Sequence, residues 1–176
     1  MGIEADTPTP LLKAVHDVNQ AQRQTFFEKI KKHFDQQGGL SGKKIAVWGI
    51  AFKPGTDDVR EAPAISLMQN LLEAGATVAA HDPVAHETCH QILGDQIDYR
   101  EMYDTLEGAH ALLICTDWPE FKQPRFATLK EKMADRVIFD GRNLYNPAML
   151  ADEGFTYISV GRNAVLAGES SASNSR

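Results

Sequence analysis

The sequence has few cysteines, no net positive charge, and no long hydrophobic run. Cys89 and Cys115 are its two cysteines, far apart and in no metal-ligand spacing. They read as reduced thiols of a cytoplasmic protein. The six histidines form no zinc pattern. His86 and His90 stand four apart on an expected helix beside Cys89, which puts both imidazoles on one face. That face reads as solvated. No apolar run is long enough to span a bilayer. The N-terminus lacks the basic-then-apolar plan of a secretory signal. A net charge of −6 and a pI near 5.5 argue against general affinity for nucleic acid or anionic membranes, and leave room for a local basic site. No repeat is visible.

The remaining composition is that of a soluble globular protein, 43% hydrophobic and 24% charged. A length of 176 residues suits one domain with an appendage. "TPTPLL" opens a helix predicted from Pro10 to about Gln37, with Leu11, Val15, Val18, Phe26, Phe27, Ile30 and Phe34 as its apolar stripe. The glycine pair at 38 and 39 stops it. So long a helix is expected to pack on another chain or a further domain. Beyond it, strands are predicted at 44–49, 77–83, 110–118, 136–142 and 155–161. Helices are predicted at 63–74, 84–93, 126–133 and 147–152, with a short one near 101–109. This alternation means an α/β fold, a Rossmann-like open parallel sheet covered by helices on both faces and preceded by a long N-terminal helix. The expected organisation is a linker helix over 1–40, the sheet domain over 41–162, and a small polar tail over 163–176 that reads as disordered.

In such a sheet, ligands bind beyond the carboxyl ends of the strands. The residues expected there are the 49–62 loop, Asp82-Pro83, Thr116 to Pro119, Asp140 to Arg142, and Gly161-Arg162. They are polar and repeatedly basic, which suits an anionic ligand with a polar ring, such as a nucleotide. The dinucleotide fingerprint G-x-G-x-x-G fails after Gly49, since the second and third glycines are missing and Pro54 intrudes. Asp82 stands where a ribose-binding acid would, and aspartate before proline is also a plain turn former. Phosphate contact is therefore assigned to Lys53 as a point charge. The plainer alternatives stay open. Lys53 and Arg60 could form an internal ion-pair set with Asp57, Asp58 and Glu61. Arg142 could be a turn residue. Trp118 and Phe121 read as core or lid packing rather than base stacking.

The segments "GIAFKPGTDDVREAPA", "HDP", "CTDWPEF" and "DGRNLYNP" resemble the C-terminal, UDP-binding domain of the NAD-dependent nucleotide-sugar dehydrogenases, the UDP-glucose/GDP-mannose dehydrogenase family. The resemblance runs from about Thr9 to Arg162. "TDWPEF" and "DGRNLY" favour the UDP-glucose 6-dehydrogenase branch over the GDP-mannose and UDP-N-acetylmannosamine branches. It implies that Phe52, Lys53 and Arg142 contact a UDP-sugar, that Arg60 reaches toward NAD, and that the first helix supports a homodimer. It also implies a four-electron oxidation through a cysteine in a G-G-x-C-F-P-K-D motif, which this sequence does not contain. Cys89 and Cys115 lack that context. The chain is thus expected to be a central helix plus a UDP-binding domain, inactive alone, with NAD held mainly by another domain. A non-catalytic nucleotide-binding or oligomerisation module is the rival reading.

Overall fold

The computed structural model describes residues 10–167; the side chains of residues 10–20 and 23 lie outside that description. Six parallel strands form one sheet in the order β3-β2-β1-β4-β5-β6. They are β1 (Lys44–Trp48), β2 (Thr77–His81), β3 (Ile97–Tyr99), β4 (Ala111–Ile114), β5 (Val137–Asp140) and β6 (Thr156–Ser159). The helices are α1 (Pro10–Asp35), α2 (Pro63–Glu73), α3 (His86–Leu93), α4 (Phe126–Lys132) and α5 (Pro147–Asp152). Chain order reverses between β1 and β4, which are paired at Val47 and Leu113. That is the topological switch point of a Rossmann-like sheet.

Alternation along the strands splits the core in two. Ile45, Val47, Val78, Leu113 and Phe139 point to one face, under α1, α2 and α3. Trp48, Leu112, Ile114, Ile138 and Tyr157 point to the other, under α4 and α5, where Phe121, Leu129, Leu150 and Phe155 meet them. Trp48 is fully buried and stacks on Phe121, with ring centroids 5.5 Å apart. Its indole N–H donates to Met102 O and Thr105 Oγ1, which satisfies the one polar atom that burial would otherwise strand. Phe121 is therefore core, as expected. Pro63 and Pro147 open α2 and α5, where a missing N–H costs nothing.

Three expectations change. Phe26, Ile30 and Phe34 on α1 are buried against this domain's own sheet, at four-residue spacing. The downstream half of the helix therefore does not wait for another chain. Leu11, Val15 and Val18 lie outside the described side chains. Secondly, β3 was not predicted. It is a three-residue edge strand with only Ile97 and Tyr99 as apolar residues, too short for a period-2 pattern. Thirdly, most strands end two to four residues early, because Asp82, Thr116 and Asp140 capture backbone groups and turn the chain away from the ladder. The 163–176 tail begins inside the described structure, where Val165 bridges Tyr157 in antiparallel fashion. Residues 168–176 lie outside it.

Candidate functional site

Gly49 leaves β1 with φ +89°, a left-handed conformation that favours glycine. A Cβ there would stand 2.5 Å from Thr116 Cβ and 2.6 Å from Thr116 N. The loops after β1 and β4 therefore touch across the switch point. Thr116 Oγ1 donates to Ala51 O at 2.6 Å and seals the contact. In a dinucleotide loop the backbone N–H groups at this place face a pyrophosphate. Here each is already used. Gly49 N donates to His81 O, Ile50 N and Ala51 N donate to Asp82 Oδ2, and Phe52 N donates to Asp58 O. Asp82, which is 2% exposed, also accepts from the N–H groups of Val84 and Ala85 and from the Trp118 indole. It has no free lone pair facing a ribose. The residues of this sheet therefore do not fit NAD at its own switch point.

The 49–62 loop is compact and Ω-like rather than open. Asp58 N donates to Thr56 Oγ1, Ala62 N to Val59 O, and Val59 is buried. Thr88 Oγ1 of α3 donates to Asp57 O and ties the loop down. Arg60 chelates Asp58 through Nε and Nη2 at 2.9 and 2.8 Å, and its backbone N–H donates to the same carboxylate. Those bonds hold the Asp58 carboxyl down at about 2. The internal ion pair allowed for Arg60 is present. Lys53 is exposed and makes no hydrogen bond or ion pair among the described residues.

A cleft of about 750 Å³ opens at the carboxyl ends of β4 and β5, between α1 and α2. Phe52 stands in its wall, half exposed, and Arg142 lines it with Gly141 and Cys115. Arg142 Nη2 donates to Asp117 Oδ1 at 2.9 Å, leaving the rest of the guanidinium fork unused by that pair. Its backbone is fixed by Asp140, which is fully buried and accepts from Arg142 N, Leu144 N and Tyr157 OH. Arg142 is thus a turn residue through its N–H and an ion-pair partner of Asp117 through its guanidinium. Of the four residues singled out in the sequence, Phe52 and Arg142 both line this cleft. Lys53 is next to Phe52 but outside the lining, and Arg60 lies on the loop's outer side, 87% exposed along its side chain.

Sequence reasoning missed the α2 wall. Pro63, Ser66, Leu67 and Asn70 line the cleft at i, i+3, i+4 and i+7, one helix face. The signal was there, since Ser66 and Asn70 interrupt an otherwise apolar stripe. Neither cysteine is poised as a nucleophile. Burial pushes the Cys115 thiol up to about 12, with Asp140 adding to the effect. Cys89 is fully buried, its thiol also raised by burial, and it accepts from Tyr99 OH. His90 is exposed, while His86 is half-buried, its Nε2 accepting from Asp82 N and its ring packing on His81 and Tyr99. No group of three metal-ligating side chains occurs among the described residues. No described helix is long and apolar enough to cross a membrane.

A parallel sheet with this strand order and a largely apolar cleft carrying Arg142 at its carboxyl edge is a Rossmann-like fold. The family model described as "UDP-glucose/GDP-mannose dehydrogenase family, UDP binding domain" matches residues 46–147, and the chain belongs to that family. It is 40% identical over 158 residues to the UDP-glucose 6-dehydrogenase of Pseudomonas aeruginosa, covering 86% of this chain and 34% of the relative. It is 39% identical over 168 residues to UDP-glucose 6-dehydrogenase TuaD of Bacillus subtilis, covering 95% and 36%. Among solved structures, a UDP-glucose dehydrogenase from Pyrobaculum islandicum superposes with a TM-score of 0.70 at 33% identity, over 86% of this chain and 32% of that one. The chain spans about a third of the length of the relatives it matches.

Proposed function

We propose that this chain is the UDP-sugar-binding domain of an NAD-dependent UDP-glucose 6-dehydrogenase. The observation that carries the reading is the switch point. Four consecutive backbone N–H groups, Gly49 to Phe52, are spent on internal acceptors, so side-chain cations must meet a phosphate. Lys53, next in the chain to Phe52, and Arg142, which lines the cleft with Phe52, would be those cations. Arg142 would grip the diphosphate with the part of its fork that Asp117 leaves unused, Lys53 would add a mobile ammonium, and Phe52 would cover an apolar ring face. Ser66 and Asn70 would supply polar contacts from α2. NAD, which the sheet does not fit, would be bound by another domain, with Arg60 reaching it after leaving Asp58. The upstream half of α1 would pair two such chains in a cytoplasmic homodimer. Since neither thiol is activated, the chain by itself would bind without oxidising.

Calorimetry on the chain with UDP, UDP-glucose and GDP-mannose tests this. Saturable binding of UDP and UDP-glucose with weaker GDP-mannose binding is expected. Preference for GDP-mannose would overturn the substrate assignment, and no binding of any of the three would overturn the nucleotide reading. Release of NADH by the chain alone would refute its inactivity.

A further inference from the structure

The residue that a dinucleotide sheet would present to a ribose has been turned inward in this chain. We infer that Asp82 is a positioning residue for the UDP site, acting through the loop that carries Phe52 and Lys53; this rests on the reading above. Its Oδ2 accepts from Ile50 N at 2.8 Å, Ala51 N at 3.0 Å and Trp118 Nε1 at 3.1 Å. Its Oδ1 accepts from Val84 N and Ala85 N, both at 3.0 Å. One carboxylate thus joins three segments: the exit of β1, the entry to α3, and the loop after β4. Trp118 reaches Asp82 from the far side of β1, because β1 lies between β2 and β4 in the sheet. The β4 loop therefore lies across the end of β1 and fills the crevice at the switch point. Ile50 and Ala51 belong to no strand, so without this acceptor their N–H groups would be buried and unpaired. With it, the backbone is anchored two residues ahead of Lys53. The ligand cleft is consequently displaced toward α1 and α2, where Phe52 points.

Only a carboxylate can accept from all five donors. An amide offers one accepting oxygen and turns an NH2 group toward the remaining N–H groups. Asp82→Asn in the full chain is therefore expected to speed hydrogen exchange at Ile50 and Ala51, leave Leu112 and Leu113 of β4 protected, and weaken UDP binding about tenfold, on the scale of one lost charged hydrogen bond. A double-mutant cycle separates positioning from general weakening. If Asp82 acts by presenting Phe52 and Lys53, Asp82→Asn has little further effect on UDP affinity in a Phe52→Ala/Lys53→Ala background. Additive losses would overturn the inference. Leu150→Ala, which opens a cavity under α5, is expected to cost stability and leave UDP affinity unchanged. A matching loss of affinity there would mean that any destabilisation produces the effect, and would also overturn it. Should Asp82→Asn fail to fold, the unsubstituted chain still decides: Ile50 and Ala51 amides that exchange as fast as that of Gly55 would sink the proposal. No UDP binding by the unsubstituted chain would remove the nucleotide reading and the ligand half of this inference together, while the exchange rates judge the loop half alone.

Discussion

Replacing Gly49 by alanine should do more harm than replacing Gly55, although both glycines sit in the same loop at similar angles. Gly49 has φ +89° and Gly55 φ +82°, so each substitution forces an L-residue into a left-handed conformation. That costs about 1–2 kcal/mol. At Gly55 nothing lies within 4 Å of the new methyl, and the cost stops there. At Gly49 the methyl meets Thr116 Cβ at 2.5 Å and the Thr116 backbone nitrogen at 2.6 Å, and backbone cannot swing aside as a side-chain tip can. Overpacking of this kind adds about 1–3 kcal/mol. The sums are about 1–2 kcal/mol for Gly55→Ala and about 2–5 kcal/mol for Gly49→Ala. For a chain of this size each kcal/mol lowers Tm by about 2–4 °C. Melting of the two variants by circular dichroism checks the difference. Relief of the clash must also part Thr116 from Ala51, so Gly49→Ala should weaken UDP binding through displacement of Phe52. Equal melting temperatures for the two variants would refute the close approach of the β1 and β4 loops.

Other outcomes follow from the same contacts. Ile30→Ala should cost about 2–5 kcal/mol in a urea titration, whatever the protein concentration, because Ile30 is buried within its own domain; a loss seen only at concentrations where chains associate would contradict that packing. Lys53→Ala should weaken UDP binding about tenfold, as expected for a charge-assisted contact, while Arg60→Ala leaves it unchanged; the reverse order would exchange their roles. Burial holds His86 below its ordinary 6.5, helped by nearby His81 and opposed by Asp82 and Glu101. A depressed histidine binds its proton more readily in the unfolded chain, so this stability is full above 6.5 and is lost as pH falls below it. Protonation also ends acceptance from Asp82 N. Melts between about pH 7.5 and 5.5 should show a shallower decline in His86→Gln than in the parent, since His33, also lowered by burial, retains its share; an identical decline would exclude His86.

The sequence by itself determined the class of fold, because short apolar runs alternating with helices can bury both faces only as a parallel sheet. It also determined where to look, since any such sheet presents its ligand at the strand ends, and the charged run from Lys53 to Glu61 marked the first of them. Helix limits set by Gly38, Gly39, Pro63 and Pro147 were legible because they act locally. Tertiary structure alone decided the partners. Nothing local says that Phe26, Ile30 and Phe34 would find their own sheet. The α2 wall of the cleft became meaningful only once α1 stood opposite it. Asp82 is the clearest case: its place after β2 is written in the sequence, but whether it faces a ribose or five N–H groups depends on where the β4 loop crosses. That crossing is a contact between residues more than thirty positions apart in the chain, and local spacing carries no information about it.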